Sequence, residues 1–345
     1  MNVRILTLAM CFPASVMAQG FAGLGNDVDG FTTPQHPAQI SFPQDHGAHP
    51  DFRIEWWYLT ANLKGVDGTD YGLQWTLFRS ATQPFEVDGF ESPQLWLAHA
   101  AVTTPDAHYV TERAARGGTG QAGVQAAPFE AWIDEWQLSG DLEGVANLRA
   151  AGPDFGYDML MQAKGPLVMQ GDQGYSVKSS AGQASYYYSQ PFFEISGTLN
   201  LPDGGVEVSG KAWMDREWSS QPLAEDQTGW DWFSLSFEDG AKMMGFLLRA
   251  SGGNTYSSAT WIEADGAVTS FPDGAFSAVA QDVDHVEGRE IPTTWRARLP
   301  ERGVDVVVKA INPNALMTTS VPYWEGPVEV SGSHKGYGYL EMTGY

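Results

Sequence analysis

The stretch KAWMDREWSSQ, residues 211–221, sets Asp215, Arg216 and Glu217 between Trp213 and Trp218 with no turn residue among them. A carboxylate on a strand face is usually solvated or paired, whereas one pressed against indole rings keeps its proton near neutral pH and can donate it. Asp215 is therefore the candidate acid. Trp213 and Trp218, with Trp230 and Trp232 a few residues on, are the candidate lining of an apolar cleft around it. Arg216 cuts both ways. On a strand it points to the face opposite Asp215, where Asp231 or Glu225 is a partner; turned toward Asp215, it would hold the carboxylate ionised and make the triplet an ion-paired clasp.

Three further sites carry chemistry of lower specificity. In RIEWWYLTANL, residues 53–63, Glu55 stands beside Trp57 and is either an ion-pair partner of Arg53 or Arg79 or a ligand-facing carboxylate. His99 in LWLAHAAV is either a hydrogen-bonded core histidine or a polar group lining a pocket. The D-H-x-x-H-x-D run over 45–51 has metal-ligand residue types, but Pro43, Pro50 and the irregular spacing favour a hydrogen-bonded segment packed on a barrel mouth. No metal and no cofactor is expected. The one G-x-G-x-x-G, at 118–123, follows no buried strand and opens no helix, and neither a G-x-S-x-G elbow nor a P-loop occurs. Serine-hydrolase and nucleotide chemistry therefore have no support.

The elements that must position these residues read as β-structure throughout. Short alternating runs rich in Val, Thr, Tyr, Phe and Trp are separated by turn signals such as VDG at 66–68, PDG at 202–204 and EDG at 238–240. The glycine-rich 113–126 stretch reads as a loop. Pro153, Gly156, Asp158, Ala163 and Pro166 recur as Pro300, Gly303, Asp305, Ala310 and Pro313 at one constant offset. Two copies of one antiparallel unit explain the repeat, as barrels or as two-sheet sandwiches. The resulting division is a leader over 1–18, an irregular lead-in over 19–50, a first unit over 51–210, a seam over 211–229 and a second unit over 230–345.

The leader has an early Arg4, a short apolar run and the small-residue ending Val16-Met17-Ala18, which reads as a secretory signal peptide cleaved after Ala18. Cys11, the chain's one cysteine, lies inside it, so the expected mature protein has no disulfide and no thiol chemistry. With 42 acidic and 19 basic residues, the chain has a formal charge of −23, which argues against nucleic acid as a partner. No later segment is apolar for long enough to span a bilayer as a helix. A periplasmic or secreted location is expected.

HPDFRIEWWYLTANL (49–63), YGLQWTLFR (71–79), SGKAWMDREW (209–218), GWDWFSLSFEDG (229–240) and YWEGPVEVSG followed by GYGYLEMTGY (323–345) resemble the lipocalin-like family of carotenoid 1,2-hydratase and the exported AttH-like proteins. The resemblance runs from about residue 40 to the end and implies tandem lipocalin-like barrels. It also implies a motif, Tyr-x-Asp-His-x-Trp, whose aspartate is the proton donor of the hydratases; Asp215 and Trp218 match it, while Trp213 stands for the tyrosine and Arg216 for the histidine. Two functions follow as expectations. One is binding of a long apolar lipid or isoprenoid ligand, with an ABC-type membrane export system as partner. The other is addition of water to an isolated C=C with Asp215 as general acid.

Overall fold

A computed structural model describes residues 29–345. The leader expected over 1–18 and the first part of the lead-in lie outside the described residues. All the named elements are β-strands apart from two short 3-10 turns.

The strands form two antiparallel sheets, each curled around its own core into a barrel or half-barrel. Across the first sheet the order is His108–Arg116, Gln94–Thr103, Asp70–Ala81, Ile54–Gly65, Gly204–Ser219, Ala184–Leu201, Gly156–Ala163, Val145–Ala151, Trp136–Gly140, Phe129–Ile133 and Ala122–Ala126. Across the second it is Val268–Phe271, Thr255–Ile262, Lys242–Ala250, Gln227–Phe237, Gly336–Met342, Tyr323–Gly332, Val304–Ala310, Arg289–Leu299 and Ser277–Val286. In both, the first four strands of the unit lie side by side in chain order, and the last strand of the unit pairs back onto the first. This shared order is the structural form of the duplication. The strands Gly156–Ala163 and Val304–Ala310, which carry the sequence repeat, occupy equivalent places. The first unit owes its greater length to the added hairpin of Ala122–Ala126 and Phe129–Ile133.

Two sequence expectations are revised. The 113–126 stretch is not a loop: it is the end of one edge strand, a turn, and the whole of another. Three of its four glycines lie in that turn, where Gly118 and Gly120 have φ of +74° and +79°, while Gly123 is within the second strand, paired with Trp132. Residues 211–219, read as a seam, are the second half of strand Gly204–Ser219, and the link to the second sheet is 220–226. The run has no turn residue because it is hydrogen-bonded on both sides, by Ile54–Gly65 and by Ala184–Leu201.

Alternation along these central strands serves two buried faces. In the first sheet Trp57, Leu59, Trp75, Leu77 and Met214 point into a filled barrel interior. In the second, Phe233, Leu235, Trp295, Val306 and Leu340 do the same. The opposite faces of the two sheets pack on each other through a third cluster that includes Tyr58, Tyr187, Trp213, Trp232, Phe246 and Tyr339.

The two units approach closely at Gly72, where an added Cβ would lie 2.6 Å from Pro327 and 2.7 Å from the Tyr339 hydroxyl of the second unit. Gly72→Ala is expected to wedge the units apart and destabilise the protein by about 1–3 kcal/mol. A lowered urea midpoint measures this, and an unchanged midpoint would show that the units give way at no cost.

Candidate active site

Register brings the acid and its neighbours to one face of the first sheet. Asp215 lies opposite Tyr58 on one side and Ser189 on the other, and Glu217 lies opposite Trp56 and Tyr187. Directly paired residues share a face, so these groups converge, with Trp213, on the space between the two units. From the second sheet, Trp230, Trp232 and Glu341 face the same space, Trp232 and Glu341 being directly paired. The cleft between them has a volume of about 270 Å³. Its walls are mainly aromatic and aliphatic.

Asp215 is 3% exposed. Burial pushes its carboxyl up to about 7, against the opposing pull of hydrogen bonds from Ser189, Trp213 and Tyr187, and the nearby Glu217 charge adds to the rise. The Trp213 indole N–H donates to Oδ1 at 2.8 Å, and the Ser189 hydroxyl donates to the same oxygen while accepting from Gln170 at 2.8 Å. Tyr187 is in turn fixed by the Trp232 indole N–H at 3.2 Å. Every partner of Asp215 in this set is neutral. Glu217, by contrast, is bonded to Ser185 and paired with the buried Lys178 at 2.9 Å.

Across the cleft, the Trp230 indole N–H donates to Glu341 Oε1 at 2.6 Å. Burial raises the Glu341 carboxyl to about 7, the Trp230 bond opposing and the charges of Asp215 and Glu217 adding. Behind Glu341, and directly opposite it in register, Glu325 is 1% exposed with the hydroxyls of Tyr58 and Tyr323 as polar neighbours. Burial drives Glu325 well above the usual carboxylate range, with the Glu341 charge adding. His99 lines the cleft as well, bonded to the Tyr323 hydroxyl at 2.9 Å and to Glu112 at 3.1 Å. Burial lowers it to about 4 despite the Glu112 charge, so the ring is neutral at pH 7.

The assembled geometry places this cleft within a segment, residues 33–345, that matches the AttH-like family. The chain belongs to that family. An AttH protein from Nitrosomonas europaea superimposes with a TM-score of 0.82 at 30% identity, covering 91% of this chain and 100% of that one. Kievitone hydratase from Nectria haematococca follows with a TM-score of 0.69 at 13% identity, covering 91% and 96%. CghA, solved with Sch210972, gives 0.58 at 12% identity, covering 95% and 99%. The last two likenesses are of fold. No curated protein matches the sequence.

In this AttH-like chain the site residues expected from sequence divide between two faces. Asp215, Trp213, Trp230, Trp232 and His99 are brought to the cleft or its wall. Glu55, Trp57 and Trp218 are not; they point to the barrel side. There Glu55 is bonded by both Arg79 and Arg216, and the Arg216 guanidinium lies over the Trp57 and Trp218 rings at 3.9 and 4.8 Å. Burial works to raise Glu55, but the two guanidinium charges outweigh it and hold the carboxyl well below its usual range. Arg216 thus faces away from Asp215, and its partner is Glu55 rather than Asp231, which pairs with Arg249 at 3.1 Å.

The lead-in caps this cluster. His49 stacks on Trp218 at 4.3 Å and bonds Asp45 and Glu55, while the Trp57 indole N–H donates to the His46 carbonyl at 2.8 Å. The 45–51 histidines are spent in these contacts, and among the described residues no group of three or more His, Cys, Asp or Glu side chains is placed to hold a metal. Sequence reasoning did not single out Tyr187, Ser189, Lys178 or Glu341. A signal for the last was present: Glu341 interrupts an otherwise apolar and aromatic strand, GYGYLEM.

Proposed function

We propose that the interdomain cleft binds an apolar ligand carrying an isolated C=C and that Asp215 protonates it, so that water adds across the bond. The observation that carries this reading is a carboxyl raised by burial to about 7, facing an aromatic cleft and held by neutral hydrogen-bond donors. Asp215 would give its proton to the less substituted carbon, the π pair forming the C–H bond. The tertiary cation would face the rings of Trp213, Trp232 and Tyr58. A water then forms the C–O bond and returns its proton to the Asp215 carboxylate, leaving the enzyme unchanged and one alcohol formed. The family resemblance supports the role of Asp215 as donor. Trp213 occupies the tyrosine position of the motif and keeps a hydrogen bond to the acid.

The test is incubation of the protein in D₂O with acyclic isoprenoids ending in an isolated trisubstituted alkene. A tertiary alcohol bearing deuterium on the adjacent carbon is the expected product; alkenes recovered without deuterium on carbon would defeat the reading. A second reading is carriage of such a ligand beside a membrane export system, favoured by the signal-like leader and by AttH-like membership. It expects the ligand to bind and leave chemically unchanged.

A further inference from the structure

The cleft combines two features that the addition of water does not by itself require together. Its walls are built from ring faces, whose quadrupoles attract positive charge. It also carries carboxyls on both sides, Asp215 from the first unit and Glu341 from the second, neither with a cationic partner among the hydrogen bonds and ion pairs of the described residues. The other charged groups facing the space are Glu217 and Lys178, which are paired with each other. The protein already seats one ammonium on these walls: Lys178 Nζ lies 4.8 Å from the Tyr187 ring centre and 4.6 Å from that of Phe246. A hydrocarbon pocket would have no use for Glu341. Its carboxyl is held by an indole donor at 2.6 Å, on the wall opposite Asp215.

We propose that the cleft selects an apolar organic cation, with Glu341 as the counter-charge that meets its positive end from the wall opposite Asp215. This deepens the functional reading above and rests on it: in turnover the positive end is the carbocation that Asp215 generates, and Glu341 is its electrostatic stabiliser from the far wall. A stable ammonium of the same shape should then bind better than its neutral counterpart. Selectivity of this kind comes from the differential interaction of the two charge states with the site, not from apolar area, which the pair of ligands shares.

The experiment compares N,N-dimethyloctylamine with the tertiary alcohol in which C–OH replaces N–H⁺, by equilibrium titration of tryptophan fluorescence at neutral pH and about 0.15 M salt, where surface charge is largely screened. The wild-type protein is expected to bind the amine roughly tenfold or more tightly than the alcohol. Glu341→Gln, which keeps side-chain size and an acceptor for Trp230, should bring the ratio down to about twofold while leaving alcohol affinity in place. Equal affinities in the wild type would overturn the inference and leave the apolar-ligand reading standing. A preference that survives Glu341→Gln and disappears in Asp215→Asn would remove Glu341 from the role. Failure of both probes to bind would sink the functional reading and this inference with it. Near-ultraviolet circular dichroism of each variant separates loss of binding from loss of fold.

Discussion

Asp215→Asn is expected to slow formation of the tertiary alcohol by about 10²–10⁴-fold, the range that a positioned general acid supplies. The substitution is close to isosteric. The new amide oxygen can still accept from Ser189 and Trp213, so the fold and the apolar lining should persist and ligand binding should change little. The same variant carries a second signature that a purely structural aspartate lacking the raised pKa would not show. In the folded protein the Asp215 carboxyl titrates near 7, whereas in the unfolded chain it titrates near its ordinary value of about 4. A pKa raised by folding contributes stability that is fully present below the unfolded value and is lost as pH rises through the folded one. Asparagine does not titrate, so the variant escapes that loss. Relative to the wild type it should therefore gain stability as pH rises from about 4 to about 7, which amounts to about 3 kcal/mol at most between pH 5 and pH 8. Urea unfolding at the two pH values measures the difference. A catalytically dead variant whose stability relative to the wild type does not move with pH would mean that Asp215 is ionised in the fold, and the acid role would fail.

Which of these features could be read in advance follows from which strands have two buried faces. Period-2 alternation, turn signals and the repeat were enough to reach tandem antiparallel β-units, because those cues are local. Parity was legible too: Trp213, Asp215 and Glu217 had to share one face, and Trp230 and Trp232 another. What alternation does not supply is the identity of each face when neither is wet. Glu55 and Trp57 look as plausible for a cleft as Trp56 and Tyr58. The pairing of Tyr58 with Asp215 decides between them, and that register is set between strands about 150 residues apart in sequence. His99 shows the same ambiguity: Trp96, Ala98 and Ala100 enter the first core, while Leu97 and His99 look outward to the second unit. Glu341 escaped notice because its meaning depends on a wall contributed by the other unit.

The two faces of strand Gly204–Ser219 divide the labour between chemistry and anchoring. One face holds a carboxyl without a cation; the other holds a cation with a carboxyl. The separation is what lets Asp215 stay protonated one residue away from a guanidinium. The main chain and the buried Glu55 keep the Arg216 charge committed elsewhere, through bonds to the carbonyls of Gly47 and Glu217 at 2.6 and 3.0 Å.

Glu55→Gln should accordingly be among the most damaging single substitutions in the protein, and worse than Arg216→Met. Glu55 sits between Arg79 and Arg216, and all three side chains are almost wholly enclosed. Breaking such a group by removing one member costs about 3–5 kcal/mol, because the remaining charge keeps its desolvation penalty without its partner. Removing the shared carboxylate leaves two guanidiniums facing one another, whereas removing Arg216 leaves Glu55 with Arg79 and with the His49 backbone N–H at 2.9 Å. The order of urea midpoints should be wild type, Arg216→Met, then Glu55→Gln. In Arg216→Met the affinity of the cleft for the neutral alcohol probe should stay within about twofold of the wild type, since the lost contacts all lie on the barrel face. The pH dependence must also have the opposite sign to that of Asp215. A carboxyl held below its ordinary range contributes stability above the unfolded pKa and loses it as pH falls through the folded one, so the deficit of Glu55→Gln should persist at neutral pH and narrow only in strong acid. A deficit that instead closed between about pH 5 and pH 8 would mean that Glu55 is not the ionised centre of this cluster.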